Sequence, residues 1–125
     1  MQENVTLNIT NDVAASISNN AADKEQRIVD FIVQHLADLQ TMIESYWFAK
    51  KANVQNLSLP PGSIRFTTAV SGMFIVKYTV SYFFACDDIT KNNQETMTCT
   101  FDVDLGRHAV TITGEKEPER MPDEF

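Results

Sequence analysis

Between Met73 and Leu105 two arms of alternating apolar residues, MFIVKYTVSYFFACDD and ETMTCTFDVDL, flank a short polar stretch, and their pairing constrains the fold more than any other part of the chain. Asn tolerates positive φ better than other non-glycine residues, so Asn92-Asn93 suits a two-residue type I′ loop. With that loop Lys91 faces Gln94, and Phe84, Tyr82 and Val80 fall opposite Phe101, Val103 and Leu105. Period-two alternation puts Phe74, Val76, Tyr78, Val80, Tyr82, Phe84 and Cys86 on one face of the first arm and Met97, Cys99, Phe101, Val103 and Leu105 on the matching face of the second. A slip of one residue turns a whole apolar row away from the core.

The same register sets Cys86 opposite Cys99 as a non-hydrogen-bonded pair, with Cα atoms roughly 4.5 Å apart, near the short end of what a disulfide spans. A Cys86–Cys99 bridge is therefore expected, worth on the order of 3 kcal/mol, and it implies an oxidising compartment. The alternative reading is two buried thiols.

A chain of 125 residues with 43% hydrophobic content carries one core and one domain. The net charge of −7 sits mostly at the ends: Glu3 and Asp12 are unopposed in the first 20 residues, and Glu115, Glu117, Glu119, Asp123 and Glu124 face only Lys116 and Arg120 in the last 12. The middle is nearly neutral and holds no basic stripe, which argues against a nucleic-acid partner. No apolar run reaches the length of a membrane span, and no secretory signal opens the chain. If the bridge forms, the chain is expected to be the soluble extracytoplasmic part, periplasmic or secreted, of a protein whose signal or anchor lies outside this sequence; the alternative is cytoplasmic. Asn4, Asn8 and Asn56 match the glycosylation acceptor pattern, which arises often by chance in Asn- and Thr-rich sequence.

In chain order, residues 1–20 read as a flexible lead or an edge strand, on the alternation of Val5, Leu7 and Ile9. Ile28, Ile32, His35 or Leu36, Leu39, Ile43, Tyr46 and Trp47 then recur at helical spacing. They predict one helix from Ala21 to Lys51, capped by Asn20 and about 45 Å long. Val54–Gly62 reads as a connector ended by Pro60-Pro61-Gly62. A strand from Ser63 to Val70 returns through Val70-Ser71-Gly72, which sets Ile64, Phe66 and Thr68 against Tyr78, Val76 and Phe74. A two-residue turn at Gly106-Arg107 pairs Val103 with Val110 and Phe101 with Ile112. The expected fold is α+β: a long N-terminal helix packed on a four-stranded antiparallel meander, with a possible extra N-terminal edge strand. Residues 21–113 form the single domain and 114–125 an acidic tail without periodicity, expected to be disordered.

This order of elements resembles the cystatin-like fold, which includes the nuclear-transport-factor-2-like domains. Type IV pilin-like domains and secretion-system assembly domains also place a helix before a meander. The resemblance is one of topology. Cystatins inhibit papain-like proteases partly through Gln-x-Val-x-Gly in the loop between the first two strands after the helix, where this chain reads Thr68-Ala69-Val70-Ser71-Gly72. Thr replaces Gln and no Pro-Trp occurs at Leu105-Gly106-Arg107, so two contact elements are missing.

Motifs for catalysis are absent: no phosphate loop, no metal-spaced His or Cys and no nucleophile elbow occur, so no cofactor or metal is expected. Asp87, Asp88, Asp102 and Asp104 lack calcium-site spacing and read as surface charge. His35, Tyr46 and Tyr82 are the candidate lining of a pocket between helix and sheet, in which an imidazole serves as general base; the plainer reading of His35 is a residue at the core's edge. Tyr46-Trp47-Phe48 cannot all face one way on a helix, so at least one is exposed or covers another segment, the Pro60-Pro61 connector first. Trp47, Met73, Ile75 and Phe83 are the candidate interaction surface, the last three because they interrupt an outer Thr/Asp face. The leading expectation is thus a non-enzymatic interaction or assembly domain of a secretion, pilus or envelope-associated protein, with a protein partner or a second copy. A pocketed ligand-binding or enzymatic domain is the second reading and a cystatin-like inhibitor the third.

Overall fold

A computed structural model describes residues 2–48, 51–84 and 89–116. Its elements run β1 (Asn4–Asn8), α1 (Asn11–Ser18), α2 (Lys24–Gln34), α3 (Leu36–Trp47), β2 (Asn53–Ser58), β3 (Arg65–Phe66), β4 (Ser71–Phe84), β5 (Ile89–Asp104) and β6 (Ala109–Thr113). The fold is α+β, with a curled antiparallel sheet ordered β1-β6-β5-β4-β2 and β3 pairing with β4.

The lead is built into the fold. β1 pairs with β6 along its whole length, the edge strand of the sequence reading, and Thr10 caps α1 by accepting a hydrogen bond from the Val13 N–H at 3.3 Å. Leu7, Ile9, Val13, Ala14 and Ile17 are buried in the common core. The helix at 11–18 was hidden in the sequence by its small residues, since Ala and Ser supply little apolar contrast.

The single long helix expected is not formed; its apolar stripe is divided between two helices, α2 and α3. Ile28, Ile32, Leu39, Ile43, Tyr46 and Trp47 are buried, yet the helix starts at Lys24 and breaks at His35, whose φ of −117° and ψ of 28° lie outside the helical region. Neither Pro nor Gly is involved. The His35 N–H bonds the Ile32 carbonyl, and the imidazole Nδ1 takes the Phe31 carbonyl at 2.9 Å, so the side chain satisfies the acceptor that the backbone has released. Asn20 does not cap the helix; its Oδ1 accepts from Lys24 Nζ at 2.6 Å.

The hairpin differs in register by twelve residues. Phe74 faces Cys99, Val76 faces Met97, Tyr78 faces Glu95, Val80 faces Asn93, Tyr82 faces Lys91 and Phe84 faces Ile89. Asn92 and Asn93 are strand residues, and the connection falls at 85–88. The displacement is even, so both rows keep the faces that alternation assigned: Phe74, Val76, Tyr78, Val80, Met97, Cys99, Phe101 and Val103 are all buried. Period two sets parity, while the choice among even registers falls to the turn and to neighbouring strands.

At the other turn the register is the expected one, with Phe101 against Ile112 and Val103 against Val110. The loop is longer than two residues, with Asp104 paired to Ala109 and the positive φ of 50° on His108 rather than Gly106. The segment read as a connector forms β2 on the far side of β4, with Val54 buried against Val80 and a bulge between Gln55 and Ser58 beside the positive φ of Asn56. β3 is only two residues, pairing Arg65 with Met73 and Phe66 with Gly72. A Cβ on Gly72 would lie 2.1 Å from the Arg65 carbonyl oxygen and 2.7 Å from the Phe101 ring, so Gly is required there for close approach and not for a left-handed turn.

Candidate functional site

The residues proposed to line a pocket are engaged inside the fold. His35 is half-buried, its ring centroid 4.3 Å from that of Phe31 and its Nδ1 on the Phe31 carbonyl, at the junction of α2 and α3. Tyr46, buried on α3, accepts from the Glu3 N–H at 2.9 Å and donates to the Glu115 carbonyl at 2.7 Å, so its hydroxyl ties both ends of the chain to the helix. A Cβ on Gly114 would come within 2.6 Å of that hydroxyl, which fixes glycine beside it. Tyr82 packs edge-on to Trp47 at 6.3 Å between centroids, and burial, with the Glu95 charge added, raises its pKa. Each of the three side chains is thus engaged by neighbours of its own.

The sequence-derived surface divides in a similar way. Trp47 is core, its Nε1 donating to the Tyr78 hydroxyl at 3.2 Å. Met73 is half-buried, with Sδ 3.8 Å from an Arg65 guanidinium nitrogen. Ile75 remains on the outer face at 37% exposure. The Phe83 side chain lies outside the described residues. Of the aromatic triplet, Phe48 is the exposed member at 84%, lining a shallow cleft with Thr41, Glu44 and Ser45 instead of covering the Pro60-Pro61 connector. Val33, on α2, is also a large exposed apolar residue, one that the spacing argument passed over.

The register that joined the two cysteines is not the one formed. Cys99 is a free, fully buried thiol opposite Phe74, and burial, followed by the charge of Glu115, pushes its pKa up to about 12. Such a thiol is neutral and inert at physiological pH. Cys86, Asp87 and Asp88 lie outside the described residues, as does the tail from Glu117.

Val70 and Gly72, the two positions shared with the inhibitory loop of cystatins, are held by packing. The Val70 carbonyl accepts from the Val103 N–H at 2.8 Å, and Gly72 is buried under Phe101. The main surface clefts are lined by the helices and the loops beside them. Two line the α1–α2 groove, where exposed Asp23 accepts from Ser16 and Arg27 at 2.8 Å, chiefly the Arg27 bond holding its carboxyl below the usual range. A third of about 390 Å³ sits between the start of α2 and the Leu59–Ile64 loop. Among the described residues no group of His, Cys, Asp and Glu is arranged to hold a metal ion, every buried side-chain nitrogen and oxygen has a partner, and no helix is long and apolar enough to cross a membrane.

Comparison of the chain with protein-family profiles, curated proteins and solved structures gave no match.

Proposed function

We propose that this domain is a non-enzymatic interaction or assembly module, of the kind that forms the soluble part of a secretion, pilus or envelope-associated protein. The observation that carries the reading is the filled interior. Ile28, Ile32, Leu39, Ile43, Phe74, Val76, Val80, Phe101 and Ile112 are without exposed surface, and the polar tips of His35, Tyr46 and Trp47 are spent on the fold itself. A small-molecule site needs a concavity with convergent polar groups, and these residues provide neither. The likeness to cystatin-like and nuclear-transport-factor-2-like domains is part of the proposal: helices accompany a β3–β4–β5–β6 meander, while β1, α1, β2 and the break at His35 are additions to that pattern. The cysteine pair no longer argues for an oxidising compartment.

A thermal-shift screen of small metabolites tests the reading. The expected result is no compound that raises Tm through the interior. A compound whose stabilisation disappears in both His35→Ala and Tyr82→Phe would reveal a pocket between helix and sheet and overturn it.

A further inference from the structure

From Ile89 to Met97, β5 has β4 on one side and, among the described residues, no strand on the other, because the β5–β6 ladder ends at Thr100. The direction of its backbone groups follows from two contacts. The Val103 N–H points to β4, bonding Val70, and the Thr98 N–H points the opposite way, bonding Glu115 Oε1 at 2.6 Å. Alternation then aims the N–H and C=O of Thr90, Asn92, Gln94 and Thr96 off the edge of the sheet. The other edges are shorter or irregular. β1 has only five residues; β2 is bulged, with Gln40 donating to the Val54 carbonyl at 3.0 Å. Among the described residues the β5 edge has no bulge, proline or covering helix; of the devices that normally blunt such an edge it carries charge alone, at Lys91 and Glu95.

We propose that this edge pairs antiparallel with the same edge of a second copy, about a two-fold axis at Asn93, joining two sheets into one. The proposal rests on the interaction-domain reading and names its partner. The axis at Asn93 makes Asn92 face Gln94 and Thr90 face Thr96 as hydrogen-bonded pairs, the residues whose backbone groups are directed outward. It also sets Lys91 opposite Glu95 twice, in non-hydrogen-bonded pairs where side chains are closest. Charge selects this register. An axis at Lys91 or Glu95 brings like charges face to face, and one at Asn92 or Gln94 leaves both charges unmatched. Lys91 is exposed and Glu95 half-buried in the single chain, so both are within reach of a partner strand.

Sedimentation of the full chain, K91E and E95K over a concentration series tests this. The full chain is expected to approach twice its 14.1 kDa mass, and each variant to dissociate at roughly tenfold higher concentration, since each creates two like-charge contacts. Mixing the two variants restores both Lys–Glu contacts and is expected to give a heterodimer. In a Cys86→Ala background, Asn93→Cys is expected to form an intermolecular disulfide, because two-fold-related Cα atoms at that position lie about 4.5 Å apart. A chain that is folded by circular dichroism yet monomeric at millimolar concentration overturns the pairing. So does a dimer indifferent to both charge variants, and that outcome leaves the interaction-domain reading standing.

Discussion

His35 illustrates how one side chain can settle a local structure that propensity leaves open. Its ring replaces a backbone donor on the Phe31 carbonyl, which requires a proton on Nδ1. His35→Ala strands that carbonyl and is expected to lower stability by about 1 kcal/mol in urea denaturation. Cys99 makes a second residue-scale case. In a Cys86→Ala chain it is expected to resist iodoacetamide in the native state and to react in denaturant. Its folded pKa of about 12 exceeds the unfolded value of 9, so the folded state holds the proton longer. The contribution is complete below pH 9 and is lost as pH rises from 9 toward 12, at about 1.4 kcal/mol per pH unit. The alkaline limb of the stability profile is expected to flatten in Cys99→Val; an unchanged limb would contradict the burial. That Cys99 faces inward was legible from alternation. Which residue it faces was not, because the contact crosses strands.

Elements show the same division between pattern and placement. The helical stripe from Ile28 to Trp47 and the apolar faces of β4 and β5 followed from periodicity, since burial of one face imposes it directly. The break at His35 came from a side-chain bond that spacing does not encode, and the hairpin register from a choice between Asn92-Asn93 and residues 85–88 as the turn, which faces of equal parity cannot decide. β2 was illegible for another reason: its bulge at Gln55–Ser58 breaks the alternation by which a strand is read. Gly72 was noticed for a turn and serves a close approach. Gly72→Ala is therefore expected to force β3 away from β4 and to cost several kcal/mol, where an ordinary strand Gly→Ala change gains about 0.5–1 kcal/mol. Tyr46→Phe removes the tie to Glu3 and Glu115 together; a loss of about 1–3 kcal/mol, with faster amide exchange at Glu3, is expected.

For the molecule as a whole, a filled core lies under a curled sheet, and among the described residues the longest unpaired strand edge of that sheet is the β5 segment from Ile89 to Met97. Its candidacy could not be seen in the sequence, where the same residues suit a turn. Everything proposed about assembly depends on these residues being strand, with β4 on one side only. Residue-resolved amide hydrogen exchange across Thr90–Thr96 in dilute solution tests this most directly. The structure predicts alternation: protected amides at Lys91, Asn93 and Glu95, which bond β4, and fast exchange at Thr90, Asn92, Gln94 and Thr96, slowing as concentration rises. Fast exchange at both Asn92 and Asn93, between protected flanks and at every concentration, would restore the turn there and contradict the account.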